Sequence, residues 1–140
     1  MDYERFLKAQ ELVYAEVLQE LRSGNKASHW MWFIFPQLRD LGRSQTARFY
    51  GLENLAEAKL YLKHPVLGVR LKECTALVMQ HSDKTALEIL HRPDDLKFRS
   101  CMTLFKLADP QEPLFLAALN MFFKNGTDDM TIQLVKSMPG

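Results

Sequence analysis

The sequence has few of the features that identify specialised classes of protein. Its only cysteines, Cys74 and Cys101, are far apart and form no CxxC pair, which fits neither a zinc site nor a disulfide framework. We expect two buried or half-buried free thiols in a reducing compartment. The longest apolar run, Trp30 to Phe35, is too short to span a membrane. The acidic, amphipathic N-terminus is unlike a signal peptide, so the expected location is cytoplasmic.

No excess of charge of either sign is present. Eighteen basic and seventeen acidic residues give a net charge of +1, so no global field draws the protein to nucleic acid, and we expect no nucleic-acid partner and no membrane. A content of 47% hydrophobic and 25% charged residues is ordinary for a globular protein. The length of 140 residues predicts a single domain over 1–140. The oligomeric state cannot be derived from these features.

Catalytic and metal-binding motifs are also missing. A catalytic triad needs a serine or cysteine that meets a histidine and a carboxylate, but no serine or cysteine stands in a recognisable strained turn. No two histidines are spaced four residues apart on one helix face, as a metal site often requires. We therefore expect neither a metal nor a cofactor.

Helical periodicity is the strongest feature that is present. An apolar stripe at three- and four-residue steps predicts an amphipathic helix from about residue 3 to residue 22. Asp2 is its predicted N-cap and Gly24 its left-handed exit. Caps, prolines and glycines predict eight further helical segments: Ser28 to Phe35, Ser44 to Tyr50, Asn54 to Leu62, Pro65 toward His81, Asp83 to Leu90, one opened by Pro93, Pro113 to Phe123 ended by Asn125 and Gly126, and one capped by Asp128.

These elements predict a mainly α protein, a single compact orthogonal multi-helix domain of about eight helices. The run 30–35 is apolar on every side, so periodicity does not separate a helix from a buried strand. We favour a short buried helix capped by Ser28, and a buried extended run stays open. No repeat of 20–50 residues is present, which argues against a solenoid.

Four clusters carry polar chemistry. In the first, Gly42, Arg43 and Ser44 lie at the end of one element and the start of the next, where an anion site is reasonable. The alternative is that Gly42 turns the chain and Ser44 caps a helix. The fourth cluster surrounds Asp128, for which an N-cap role is sufficient.

The second cluster lies on the helix that Pro93 opens. Asp95 and Arg99 share a face, so a ligand site competes with a surface ion pair worth a few tenths of a kcal/mol. Lys97 points elsewhere. Ser100 and Thr103 lie on an adjoining face, where small hydroxyls either allow close helix packing or line a cavity. Both alternatives stay open.

The third cluster combines His29, Trp30 and Trp32 with Gln37. A tryptophan can stack on a nucleobase or a sugar, and a histidine can transfer protons near neutral pH. The alternative is that this aromatic run belongs to the core, because tryptophan buries a large area.

These motifs resemble a bacterial family, the domain of unknown function number 1810. The resemblance covers nearly the whole chain in five ordered motifs, HWMWFIFPQL, LGRSQTARFY, YLKHPVLGVRLKEC, DDLKFRSCMTLF and FFKNGTDDMTIQLV. It implies a compact α-helical fold and no reaction. The name calpastatin is often attached to the family, yet calpastatin inhibitors are long, disordered and repetitive, unlike this chain. The sequence departs from the family pattern at Phe98 and Cys101, where leucine and serine are expected.

The resemblance marks the polar residues in its motifs as family signatures: His29, Trp30, Gln37, Gly42, Arg43, Ser44, His64, Arg99, Ser100 and Thr103. The chain also has a fainter, pattern-level similarity to the NADAR (YbiA-like) group of proteins of NAD and ADP-ribose metabolism. An aromatic N-terminal motif precedes a helix with arginine and methionine in both. That similarity assigns no catalytic residue.

Three functional hypotheses follow. In the first, the chain binds a nucleotide- or ADP-ribose-type small anionic ligand, with hydrolysis of an N-glycosidic bond as an added activity. His29 and Asp95 are then the acid–base candidates, and the ligand-binding candidates are Trp30, Trp32, Gln37, Arg43, Ser44, Arg99, Ser100 and Thr103. The alternative is a non-catalytic protein-interaction module, in keeping with seven methionines. A nucleic-acid binder ranks last, since no basic stripe is present.

Overall fold

The computed structural model describes residues 1–124 and 126–138, and this part of the chain contains nine α-helices. Their bounds are α1 Glu4–Ser23, α2 Met31–Ile34, α3 Gln45–Phe49, α4 Leu55–Lys63, α5 Leu67–Met79, α6 Ala86–Leu90, α7 Asp94–Ala108, α8 Pro113–Phe123 and α9 Asp129–Ser137. A 3-10 helix spans Arg39–Leu41, and one isolated parallel bridge joins Leu38 to Leu52. The prediction of a mainly α domain of about eight helices is confirmed.

The long first helix was predicted almost to the residue. Gly24 ends it in the left-handed conformation at φ 71°, which only glycine adopts without strain. Its start differs in detail. Tyr3 occupies the N-cap position, while the carboxylate of Asp2 accepts the N–H of Glu4 at 3.0 Å. Asp2 thus still satisfies one of the free N–H groups of the first turn.

The ambiguous aromatic run forms the short buried helix α2. The structure therefore confirms a helix rather than a strand, but the predicted cap was wrong. Trp30 stands at the N-cap position, and the hydroxyl of Ser28 donates instead to Glu20 on α1, at 2.7 Å. Glu20, which is distant in sequence, thus binds the Ser28 hydroxyl that was predicted to cap α2.

Two predicted helix starts were also wrong. α5 begins at Leu67, and Pro65 lies in the turn before it. There His64 Nδ1 accepts the backbone N–H groups of Val66 and Leu67. α6 begins after Thr85 rather than at Asp83, because Thr85 and Glu88 form a reciprocal capping box.

The remaining caps follow the sequence. Ser44, Asn54 and Asp128 each accept a backbone N–H from three residues ahead, at 3.1, 2.9 and 3.2 Å. Pro113 opens α8, which ends at Phe123 as predicted. Asn125, predicted to end α8 together with Gly126, lies outside the described residues.

Helix α7 occupies the centre of the molecule. It packs against α4, α6, α8 and α9, while α5 packs against α1, α4 and α8. A line of aromatic rings crosses the core from α1 to α8, with centroids 5.0 Å apart between Phe6 and Tyr61, 5.6 Å between Tyr61 and Phe105, and 5.8 Å between Phe105 and Phe115. This arrangement explains why α7 is buried on most of its circumference from Phe98 to Phe105.

Both positions that depart from the family pattern lie in this core. The ring of Phe98 packs edge-on against Phe35 at 5.0 Å, and Cys101 is fully buried. Cys74 is buried too, and both cysteines are free thiols, as expected. Among the described helices, none is both long and apolar enough to cross a membrane.

Candidate functional site

Two adjoining clefts open beside the N-terminal half of α7. The first, cleft I, has a volume of about 570 Å³ and is lined by the segment from Gln37 to Ala47, by α7 from Pro93 to Ser100, and by Asp128 and Met130. The second, cleft II, has a volume of about 400 Å³ and is lined by the loop before α2, by α2 itself, and by residues 90–97. Pro93 and Lys97 line both clefts, so the two clefts are neighbours on the surface.

Backbone hydrogen bonds hold the wall of cleft I that precedes α3. The Leu38–Leu52 bridge fixes this segment, since Leu52 N–H donates to Gln37 O at 2.9 Å and Arg39 N–H to Leu52 O at 2.8 Å. Gly42 has an extended backbone rather than a left-handed one. A glycine is needed here because there is little room for a side chain: a Cβ at position 42 would lie only 3.0 Å from Ala47. The turn therefore brings the backbone close to α3 and leaves Arg43 exposed at the rim.

The cations of cleft I come from two elements. Arg43 is exposed, and no described residue accepts a hydrogen bond from its guanidinium group. The ammonium of Lys97 lies 3.9 Å from Asp94 Oδ1, beyond hydrogen-bond range, and 5.4 Å from the centre of the Trp32 ring. Both groups therefore keep donors that an anion in the cleft could use.

Cleft II is built on a loop that Glu20 holds in place. Its carboxylate accepts the N–H groups of Ala27 and Ser28, the Ser28 hydroxyl and the Trp30 indole N–H, at 2.7 to 2.9 Å. Partial burial by itself would raise the pKa of Glu20, but these hydrogen bonds outweigh it and lower the pKa to about 2. The anchored loop places His29 at the rim of the cleft.

An ion pair between Lys26 and Asp94 also holds this loop against α7. Lys26 Nζ lies 2.9 Å from Asp94 Oδ2, and its side chain is largely buried over the Trp30 ring. Asp94 is therefore shared between Lys26, at contact distance, and Lys97, which is farther away. The pair links the loop before α2 to the first turn of α7, and so connects the walls of cleft II.

Six of the ten predicted site residues line the two clefts. Gln37, Arg43, Ser44 and Ser100 lie in cleft I, while His29 and Trp32 lie in cleft II. The structure thus brings together segments that are far apart in the chain.

Trp30, Arg99 and Thr103 line neither cleft. Trp30 is only 1% exposed, and its indole bonds to Glu20. Arg99 Nε donates to Gly126 O at 2.9 Å, and the Thr103 hydroxyl accepts the N–H of Asp128 at 2.9 Å. Within the described residues, these three side chains make structural contacts.

Asp95 is buried and lines neither cleft. It is 5% exposed, and its Oδ1 accepts a hydrogen bond from Arg92 Nε at 3.2 Å. The alternative proposed from the sequence, an Asp95–Arg99 surface pair, was wrong, because Asp95 is buried and Arg99 bonds to Gly126. Arg92, the hydrogen-bond partner of Asp95, lines cleft II, whereas Asp95 does not.

Sequence reasoning missed the two charged residues Lys97 and Asp128 among those that line cleft I. Lys97 was assigned to a different helix face, although it lies three positions before Ser100 and therefore shares a side of α7 with it. Asp128 was explained as an N-cap, which accounts for only one of its two carboxylate oxygens. The Lys26–Asp94 pair has no signal in the sequence, because its members come from distant segments.

No group of three or more histidine, cysteine or acidic side chains within residues 1–124 and 126–138 is arranged to hold a metal ion. The side chains that line the clefts supply cations, carboxylates, hydroxyls, an amide, an indole and imidazoles. Such groups bind anions, donate hydrogen bonds and stack on planar rings.

The sequence and the structure were compared with those of known proteins. The chain is similar to the crystal structure of the conserved hypothetical protein Rv1873 from Mycobacterium tuberculosis, with 47% identity over 98% of each chain and a TM-score of 0.96. A comparison with curated proteins gave no match. A family model described as "Protein of unknown function (DUF1810)" matches residues 1–135. Since that match spans nearly all of the sequence and agrees with its five motifs, the chain belongs to the DUF1810 family.

Proposed function

We propose that the chain binds a small anionic ligand of the nucleotide type across clefts I and II. The observation that carries the proposal is the position of Lys97. This residue lines both clefts, and its ammonium lies beyond hydrogen-bond range of Asp94. An anionic group bound in cleft I would meet Lys97 of α7 and Arg43 of the segment before α3.

The apolar parts of the walls fit a planar group beside the anion. Leu96 and Met130 are 46% and 56% exposed and both line cleft I. Trp32 is half-buried in cleft II. Large apolar side chains that remain exposed inside a cleft favour a ligand that covers them. A nucleoside combines such a face with hydroxyl and phosphate groups, which Gln37, Ser44 and the two cations can bind.

Size and charge favour a small ligand over a polymer. Clefts of about 570 and 400 Å³ lie within the usual range of small-molecule sites. A nucleic acid needs a row of cations along an extended surface, whereas the net charge of this chain is +1.

Hydrolysis of an N-glycosidic bond would be an activity in addition to binding, and it would need an acid–base residue at the ligand. His29 is the predicted acid–base residue that lines a cleft. Asp95 would act only through Arg92. Incubation with ADP-ribose, followed by chromatography of the products, measures directly whether an N-glycosidic bond is cleaved.

Binding can be tested by thermal shift and by tryptophan fluorescence with ADP, ADP-ribose and inorganic pyrophosphate. A ligand at about 100 times its Kd stabilises the folded state by about 2.7 kcal/mol, a clear rise in Tm. The chain has two tryptophans, and Trp30 is buried. We therefore expect a nucleotide to change the emission of Trp32, and the change to vanish in Trp32→Phe.

Lys97→Met removes the ammonium and keeps most of the length of the side chain. Because a hydrogen bond to a charged group contributes about 1.5 kcal/mol or more, we expect the Kd for ADP to rise about tenfold in isothermal titration. Lys8→Met is the matched control, since Lys8 is exposed on α1 and lines neither cleft. Equal losses in the two variants would contradict the proposal. No binding of any of the three ligands to the wild type would favour the alternative, a module that docks another protein.

A further inference from the structure

The two oxygens of the Asp128 carboxylate have different surroundings. Oδ2 accepts the Ser100 hydroxyl at 3.0 Å and the Thr131 N–H at 3.2 Å, and it also accepts the Thr131 hydroxyl. The backbone N–H of Asp128 donates to Thr103 at 2.9 Å. The carboxylate is therefore fixed in position by α7 and α9, and its capping role uses one oxygen.

The other oxygen, Oδ1, has no hydrogen-bond donor among the described residues. Asp128 is half-buried and lines cleft I, where it faces no cation at ion-pair distance within the described chain. It is the acidic residue of a cleft whose other charged residues, Arg43 and Lys97, are cations. A rigid acceptor beside two cations is suited to a ligand that presents an anion and a hydrogen-bond donor together.

We propose that Asp128 accepts a hydrogen bond from a sugar hydroxyl of the ligand, so that cleft I selects ribose-bearing nucleotides over bare phosphates. This inference rests on the proposed function and deepens it. A carboxylate repels an inorganic anion, and a site built to bond a hydroxyl discriminates strongly against ligands that lack one. Arg43 and Lys97 attract any anion, whereas Asp128 favours an anion that carries a sugar hydroxyl over one that does not.

The test compares three probes in isothermal titration: ADP, dideoxyadenosine diphosphate, which lacks both sugar hydroxyls, and inorganic pyrophosphate. For the wild type we expect ADP to bind at least about tenfold more tightly than the dideoxy compound. Asp128→Asn should reduce this difference, because a neutral amide replaces the charged acceptor of the sugar hydroxyl. Asparagine caps a helix as well as aspartate does, and its amide oxygen can replace Oδ2, which leaves an NH₂ donor in place of Oδ1.

Pyrophosphate separates this role from general damage to the cleft. In Asp128→Asn its affinity should stay the same or rise, because a negative charge is removed. A parallel loss of ADP and pyrophosphate binding would overturn the inference, as would equal binding of ADP and the dideoxy compound by the wild type. If the wild type binds none of the probes, the proposed function itself fails, which is a distinct outcome.

Folding of the variant is checked by its Tm. Where Asp128→Asn lowers the Tm by more than a few degrees, Asp128→Ser replaces it, since serine also caps a helix and provides no second oxygen. The same reduction in preference for ADP over the dideoxy compound is expected. Retention of the full preference in a folded variant would overturn the inference.

Discussion

Among single residues, Glu20 has the largest influence on the shape of cleft II. Four hydrogen bonds to its carboxylate fix the loop from Ala27 to Trp30, which carries His29. Those bonds hold the pKa of Glu20 at about 2, against an ordinary value of 4.5. Because the folded state lowers this pKa, the carboxylate stabilises folding above pH 4.5, and the stabilisation is lost as the pH falls toward 2.

Glu20→Gln tests this at the residue scale. We expect the variant to be less stable than the wild type at pH 7, since it removes the charge that strengthens the four hydrogen bonds. The difference should shrink as the pH falls from about 4.5 to about 2, where the wild-type carboxylate becomes protonated. Urea unfolding at a series of pH values measures both effects.

The control is Glu16→Gln, which removes an exposed carboxylate from the same helix. It should change the stability little at any of these pH values. A constant difference between wild type and Glu20→Gln from pH 7 to pH 2 would contradict the role assigned to the charge.

At the scale of elements, α7 anchors the start of α9. Arg99 bonds to Gly126 O, while Ser100 and Thr103 bond to Asp128. These three neighbours on one helix thus bind one short segment that ends at the N-cap of α9. The segment contributes Asp128 to cleft I, so the geometry of the cleft depends on this anchor.

Thr103→Val tests the anchor. Thr103 is fully buried, and valine would leave the N–H of Asp128 without its acceptor. Loss of a buried hydrogen bond with an unsatisfied partner costs about 1–3 kcal/mol. We expect a loss of unfolding free energy in this range and faster hydrogen exchange of the Asp128 amide.

Thr103→Ser is the matched control, because it keeps the hydroxyl and removes only a methyl group. It should retain the slow exchange of the Asp128 amide. If valine and serine accelerate that exchange equally, the hydroxyl does not hold α9.

The accuracy of the element predictions depended on how local the signal was. The caps at Ser44, Asn54 and Asp128 follow from a few consecutive residues, and the structure has all three. Ser28 has the same capping chemistry, yet Glu20 of α1 takes its hydroxyl. A competitor from another helix cannot be read from the local sequence.

At the scale of the whole molecule, the reactivity of the two buried thiols measures how often the core opens. Burial is the main cause that raises the pKa of Cys74 to about 12, and it raises that of Cys101 well above its ordinary value. Since the thiolate is the reactive form, the native protein should react with iodoacetamide at pH 8 only through opening of the core.

We therefore expect both cysteines to be alkylated together, at a rate that rises steeply across the urea unfolding transition. Mass spectrometry of peptides from samples quenched at successive times measures each site separately. Reaction of either cysteine at the rate of a free thiol below the transition would contradict this packing.

The assembly of the clefts is also a property of the whole molecule. Gln37, Lys97 and Asp128 come from three separate parts of the chain and line one cavity. The packing of α7 against α9 and the Leu38–Leu52 bridge bring them together. Their roles as ligand-binding residues rest on the proposed function.

The sequence by itself determined the helices, most of their ends and the family, because periodicity, caps and prolines act over a few residues. It also singled out Arg43 and Ser44 in a segment that lines cleft I. Only the tertiary structure decided the partners of polar side chains. Arg99 bonds to Gly126, Asp95 to Arg92 and Trp30 to Glu20. A buried polar group must find a hydrogen-bond partner wherever the packed chain provides one, and that location is set by the fold as a whole.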